Sequence, residues 1–284
     1  MRRKVIQIAE STQLVSIPRK WAVKHNILKG DELEIVEEAD RLCVYTSKKP
    51  LQRMKDMDIS QLTSVLPKVL HALYKAGFDE VRLTYSRPEV VGRIQQKLQD
   101  EMVGFEMIEQ KTNCCVIKSF SEGVESEFDV TLRRVFLLLK SMTGGLLEAI
   151  EGYDVNIIKS LRRLEKSNNK YTGYCRRIIN RGNYSKRWSY LMYCVLEELE
   201  NIADEIKYLC DYLIENPKRL RELGAACLDL YSQLDTFLND TYAVFWAFDL
   251  GKCVELFHRR KALVKRQKRF NQKTCDHAMV HYFV

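Results

Sequence analysis

Pro18 breaks an apolar run, Leu14-Val15-Ser16-Ile17, and obliges the chain to change structure there. A proline offers no N–H to a strand ladder, but that donor is not needed at the start of a helix. The spacing predicts a strand ending at Ile17 and two helical turns over Arg19 to His25. Upstream, Val5, Ile6 and Ile8 form a short strand, joined to the next by the polar bend Glu10-Ser11-Thr12-Gln13. Downstream, Asn26 to Gly30 closes the helix, with Gly30 suited to a left-handed position. Leu33, Ile35 and Leu42, Val44 then alternate about a turn at Glu38-Ala39-Asp40-Arg41. Roughly forty residues with so few apolar side chains cannot bury enough surface to be stable alone.

This order of strand, strand, short helix and hairpin resembles the AbrB/SpoVT family of swapped-hairpin DNA-binding domains. The resemblance rests on Val15 to Pro18, the basic pair Arg19-Lys20, Trp21, and Leu28-Lys29-Gly30-Asp31-Glu32 before a strand. It implies two intertwined chains, hence a homodimer, and double-stranded DNA as a partner. The domain is expected over residues 1–49. Its bend lacks the glycine and arginine that many relatives carry between their first two strands, so the family's arginine readout does not transfer to this loop.

The formal net charge is +8, and its distribution says more than its size. Arg2, Arg3, Lys4, Arg19, Lys20 and Lys24 face one acid, Glu10, while Asp31 to Asp40 holds six acids and no base. One half of the first module therefore suits phosphates and the other does not. Arg2, Arg3 and Lys4 precede the first strand as an arm, and Arg19 and Lys20 open a helix whose free N–H groups favour anions. Ser11, Thr12, Gln13 and Ser16 are short polar groups able to reach phosphates or base edges. The plain alternative is a solvated basic face. Trp21 shares a helical face with Ile17 and His25 and reads as core rather than a stacking platform.

No uninterrupted apolar run is long enough to span a bilayer, and the start MRRKVIQ lacks the apolar segment of a signal peptide. Nine cysteines without CxxC spacing read as reduced thiols, mostly small core residues, in a cytoplasmic protein.

Ser47 to Asp58 reads as a polar connector, and a small α/β region is expected over 58–120. Leu62, Val65, Leu66, Val69, Leu70 and Leu73 recur at helical spacing up to Gly77, with Pro67 expected to kink them. Val81, Leu83 and Tyr85 alternate as a strand. Ser86-Arg87-Pro88-Glu89 reads as a capping box opening a helix to about Met102, and a hairpin turns near Gln110 to Asn113. The region holds no clustered polar site and reads as a plain spacer and dimer contact, the alternative being a ligand-sensing domain.

From Glu125 the pattern is helical. Five apolar stripes are separated at Glu151-Gly152, Arg181-Gly182-Asn183, Asn216-Pro217 and Leu250-Gly251. Long stripes with short breaks predict an antiparallel up-and-down bundle over 125–280. A second basic block, Arg259 to Lys273, carries eight bases and no acid. The expected fold class is mixed: a swapped-hairpin β module, a small α/β region and an all-α bundle.

Glu200 and Asp204 are four apart on the third long helix and so share a face. The run Leu199-Glu200-Asn201-Ile202-Ala203-Asp204 resembles the E-x-x-x-D motif of PhoU-type phosphate-signalling regulators. Those are three-helix bundles whose acidic motifs bind metal, usually iron or zinc, and Glu165 would complete such a site with Glu200 and Asp204. The family shows two such repeats, whereas here the bundle runs out after a fifth helix that is basic. The alternative is an acidic, solvated face without metal. Glu255-x-x-His258 matches one half of a di-iron motif but has no second copy, and His277 and His281 lie outside any HExxH. No Walker A loop, GxGxxG or nucleophile setting occurs, so no enzyme is expected.

Jointly, the resemblance is to archaeal-type proteins that fuse an AbrB/SpoVT-like domain to a PhoU-like bundle. It implies a non-enzymatic, homodimeric transcription regulator of phosphate uptake. The alternative is an accessory protein docking on a phosphate transporter or sensor kinase, with the first module only dimerising.

Overall fold

A computed structural model of the chain describes residues 2–9, 11–38, 41–46, 52–120, 126–182, 184–223 and 225–273. Glu10 of the first bend, Ala39-Asp40 of the second, the start of the connector at Ser47 to Leu51, Asn183, and His277 and His281 lie outside the described residues. The chain divides into two compact units, Met1–Arg53 and Met54–Val284.

The first unit holds two antiparallel hairpins and one short helix. Strands β1 (Ile6–Ala9) and β2 (Thr12–Leu14) pair with Ile6 opposite Leu14 and Gln7 opposite Gln13. The second strand is shorter than its apolar run predicts. β1 begins at Ile6, and among the described residues Val15 to Ile17 have no ladder partner before Pro18. Helix α1 (Arg19–Lys24) starts where Pro18 requires: the Pro18 carbonyl accepts from the N–H groups of Trp21 and Ala22 at 2.9 and 3.0 Å. Gly30 has φ 94°, the left-handed position its sequence context predicts. Strands β3 (Leu33–Glu38) and β4 (Arg41–Thr46) pair in regular register, Ile35 opposite Val44.

The second unit joins a four-stranded sheet to a set of long helices. Its first strand, β5 (Met54–Asp58), lies where a connector is expected. It pairs parallel with β6 (Glu80–Thr84) across the crossover helix α2 (Leu66–Lys75). Pro67 sits in the first turn of α2, so it starts that helix instead of kinking it, and Gly77 follows the last turn at φ 83°. Helix α3 (Val90–Glu101) begins four residues after Ser86. The capping box does not form there: Glu89 takes the cap position in helical geometry with no side-chain bond. Strands β7 (Phe105–Gln110) and β8 (Cys114–Ser119) complete an order β5-β6-β8-β7. The Tyr85 hydroxyl donates towards the Lys111 and Cys114 carbonyls (2.9 and 3.1 Å), tying down the turn between them.

Five long helices and one short one follow: α4 (Ser126–Gly152), α5 (Val155–Arg181), α6 (Lys186–Glu215), α7 (Pro217–Glu222), α8 (Ala225–Trp246) and α9 (Leu250–Lys273). The stripe read as one helix from Leu220 to Phe248 is two helices, because the chain leaves helical geometry at Leu223 (ψ 99°). Asp154 caps α5 by accepting from the Asn156 N–H at 2.7 Å. Helix α4 is central, packing on α5, α6 and α8, while α9 packs on α8. Sheet, α2, α3 and the long helices share one apolar core, from Leu83 and Ile94 through Leu132, Leu139 and Leu146 to Leu213.

Candidate functional site

The five basic residues that the sequence assigns to DNA contact are all exposed. Arg2, Arg3 and Lys4 form an exposed arm before β1, and Arg19 and Lys20 occupy the first two positions of α1. Ser11, Thr12, Gln13 and Ser16 are exposed at the tip and trailing side of the first hairpin. None of the five cations is ion-paired among the described residues. The helix itself contributes less than its sequence suggests. Six residues give a small dipole, so the positive potential there comes from the side chains. Trp21 is half-buried against His25, with ring centroids 4.9 Å apart.

The same unit exposes large apolar side chains in an ordered way. On the first hairpin, Ile6 faces Leu14 across the ladder, and Ile8 lies at a bulge between Gln7 and Ala9. On the second, Ile35 faces Val44, with Leu33 and Leu42 on the same face by the two-residue period. Ile8 is 66% exposed and Leu42 is 68% exposed. No residue of α1 is buried. Two half-apolar hairpins with no covered face are an incomplete core.

In the second unit, the three carboxylates expected to hold a metal are each met by a cation. Glu200 is paired with Arg176, a buried side chain that also bonds Glu197 at 2.7 Å, and Glu200 accepts from the Thr172 hydroxyl at 3.2 Å. Lys207 stands between the other two, 2.6 Å from Asp204 and 3.4 Å from Glu165. Glu165 also accepts from the Asn169 amide at 2.6 Å. Burial opposes the charge on Lys207, yet the bond to Asp204 and the field of Glu165 raise its pKa above the ordinary lysine value. Among the described residues no three His, Cys, Asp or Glu side chains converge at metal-ligating spacing. The Arg176–Glu200 and Lys207–Glu165 pairs join α5 to α6, while Lys207–Asp204 lies within α6. Glu255 and His258 are both exposed on α9.

Neighbouring α5 residues hold the sheet-bearing part. Arg177 is fully buried and donates to the carbonyls of Tyr74 and Phe78 at 3.0 and 2.8 Å. Asn180 donates to the Lys75 carbonyl at 2.7 Å, and Arg181 pairs with Asp79. These groups satisfy carbonyls at the C-terminal end of α2. One turn earlier, a Cβ at Gly173 would lie 2.7 Å from His71 Nε2, so glycine is the residue that admits the imidazole. Burial, with Lys75 and Lys97 nearby, holds His71 down at about 4. Sequence periodicity missed Arg176, Arg177 and Lys207. The one available signal was an Arg-Arg pair inserted between core residues Cys175 and Ile178.

A cavity of about 480 Å³ opens between α6 and the α8–α9 pair. Its walls are apolar, including Ile206, Leu209, Leu234 and Leu263, with Glu198 and Glu205 on the α6 rim and Arg260 on the α9 rim. The chain matches no family model, no curated protein and no solved structure.

Proposed function

We propose that the chain is a homodimeric, DNA-binding transcription regulator of phosphate uptake. One observation carries the DNA-binding and dimeric parts. The first unit combines two hairpins with uncovered apolar faces and five exposed basic residues that no described acid neutralises. A second copy would complete the core, and the pairing would bring two sets of Arg2, Arg3, Lys4, Arg19 and Lys20 to one duplex, with Ser11, Thr12, Gln13 and Ser16 positioning the loop. The link to phosphate uptake is supported by the likeness of the Leu199 to Asp204 run to PhoU-type regulators. In this reading the long helices act on a partner or signal.

The test is binding of fluorescent duplex DNA, followed by anisotropy across a salt series. Arg19→Ala with Lys20→Ala is expected to weaken binding to all sequences alike. The slope of log K against log salt should flatten by about 0.9 for each phosphate contact removed. Unchanged affinity and slope would remove DNA binding from this reading.

A further inference from the structure

The three cations before β1 stand apart from the hairpins and the helix of the first unit. Arg2, Arg3 and Lys4 are exposed and lie, with Val5, outside any helix or strand, and no acid occurs before Glu10. The ladder sets Ile6 opposite Leu14, so this arm leaves the first hairpin at the end from which the chain runs on to Pro18 and α1. The polar bend with Ser11 and Thr12 is at the other end. Four extended residues span about 13 Å, comparable with the width of the major groove, so an arm of this length can pass from one groove towards the next.

The grooves of a duplex sort these groups by width. A helix with its side chains is about 10–12 Å across, and a helix or a two-stranded ribbon suits the major groove. The minor groove is about 6 Å wide and takes a single extended chain. Among the residues assigned to DNA contact, only those of the arm belong to neither a hairpin nor a helix and its lead-in strand. The hairpin bend offers little for reading bases in the major groove. Its described residues include no arginine, and Gln13, the one side chain there able to bond a base edge at two points, stands opposite Gln7 in the ladder. Arginine suits a narrow groove, because its guanidinium is more weakly hydrated than an ammonium. A·T steps narrow the minor groove, deepen its negative potential and lack the guanine amino group. We propose that the arm enters the minor groove of A·T-rich DNA, Arg2 and Arg3 reading the base edges there while Arg19 and Lys20 hold neighbouring phosphates. This inference rests on the DNA-binding function proposed above and adds the class of sequence that the site takes.

The test measures binding of the full chain to three fluorescent duplexes of one length, built wholly of A·T, of G·C, or of inosine·C pairs. An inosine·C pair shows the minor-groove edge of A·T and the major-groove edge of G·C. The A·T and inosine·C duplexes are expected to bind alike, and the G·C duplex about tenfold or more weakly, the size of a base-pair preference. Arg2→Lys with Arg3→Lys keeps the charge but replaces the guanidinium, and should bring the A·T to G·C affinity ratio close to one. Circular dichroism of this variant should match that of the native chain, since neither residue belongs to a helix or strand. Equal affinity for all three duplexes means that the arm touches phosphates only, and overturns the inference while DNA binding stands. So does an inosine·C duplex that follows G·C, which marks reading in the major groove, or a ratio that survives in the lysine variant. Failure to bind any duplex at low salt removes the DNA-binding function, and this inference with it.

Discussion

The guanidinium of Arg177 is bonded to the Tyr74 and Phe78 carbonyls and lies over the Phe105 ring, 4.5 Å from its centroid. Removing a buried, hydrogen-bonded charge while its partners stay buried costs about 3–5 kcal/mol. Arg177→Met is therefore expected to lower the thermal midpoint markedly, and Arg177→Lys to recover only part of it, since ammonium lacks the planar fork. Nearby His71 adds a pH dependence. Its folded pKa of about 4 lies below the ordinary 6.5, chiefly through burial, with Lys75 and Lys97 adding to it and Glu101 and Glu200 opposing it. The unfolded chain thus takes up the proton first as pH falls. The stability contributed is full above 6.5 and is lost between 6.5 and about 4. Over that window it amounts to something on the order of 3 kcal/mol. Denaturant titrations should show this slope in the native protein and a flatter one in His71→Gln. Beyond the Arg-Arg pair, neither residue stands out in the sequence. A stripe reading counts arginine and histidine as surface, and only the tertiary fold brings α2 carbonyls to the one and Gly173 to the other.

At the scale of elements, the long helices were legible because three- and four-residue spacing repeats over many turns, and their breaks coincide with Gly152, Gly182 and Pro217. Cap chemistry divides the cases. Asp154 does cap α5, and Asp154→Ala is expected to cost about 1 kcal/mol, readable as a small fall in thermal midpoint. Ser86 does not cap α3, because Pro88 and Glu89 form a turn that delays the helix to Val90. β5 escaped notice for a physical reason. An edge strand paired on one side needs no apolar alternation, and Met-Lys-Asp-Met-Asp is held by its parallel ladder to β6. The acidic run on α6 was correctly placed on one helix face. Its cations were not legible, because Arg176 comes from a facing helix and Lys207 lies three residues beyond Asp204.

Considered as a whole, the chain leaves large apolar side chains exposed in both units. In the first unit, Ile35 and Leu42 share the bare face of the second hairpin. Ile35→Asp with Leu42→Asp should turn the proposed dimer into monomer by light scattering at low protein concentration, and weaken DNA binding with it. If the long helices alone held the chains together, mass and affinity would not move. Within the second unit, Arg176 and Arg177 are consecutive on α5 and point to different partners, one to Glu197 and Glu200 on α6, the other to the end of α2. A single step along the backbone thus links two grips. The sheet-bearing part and α6 are thereby held by adjoining residues of one continuous helix, with no loop between the two grips.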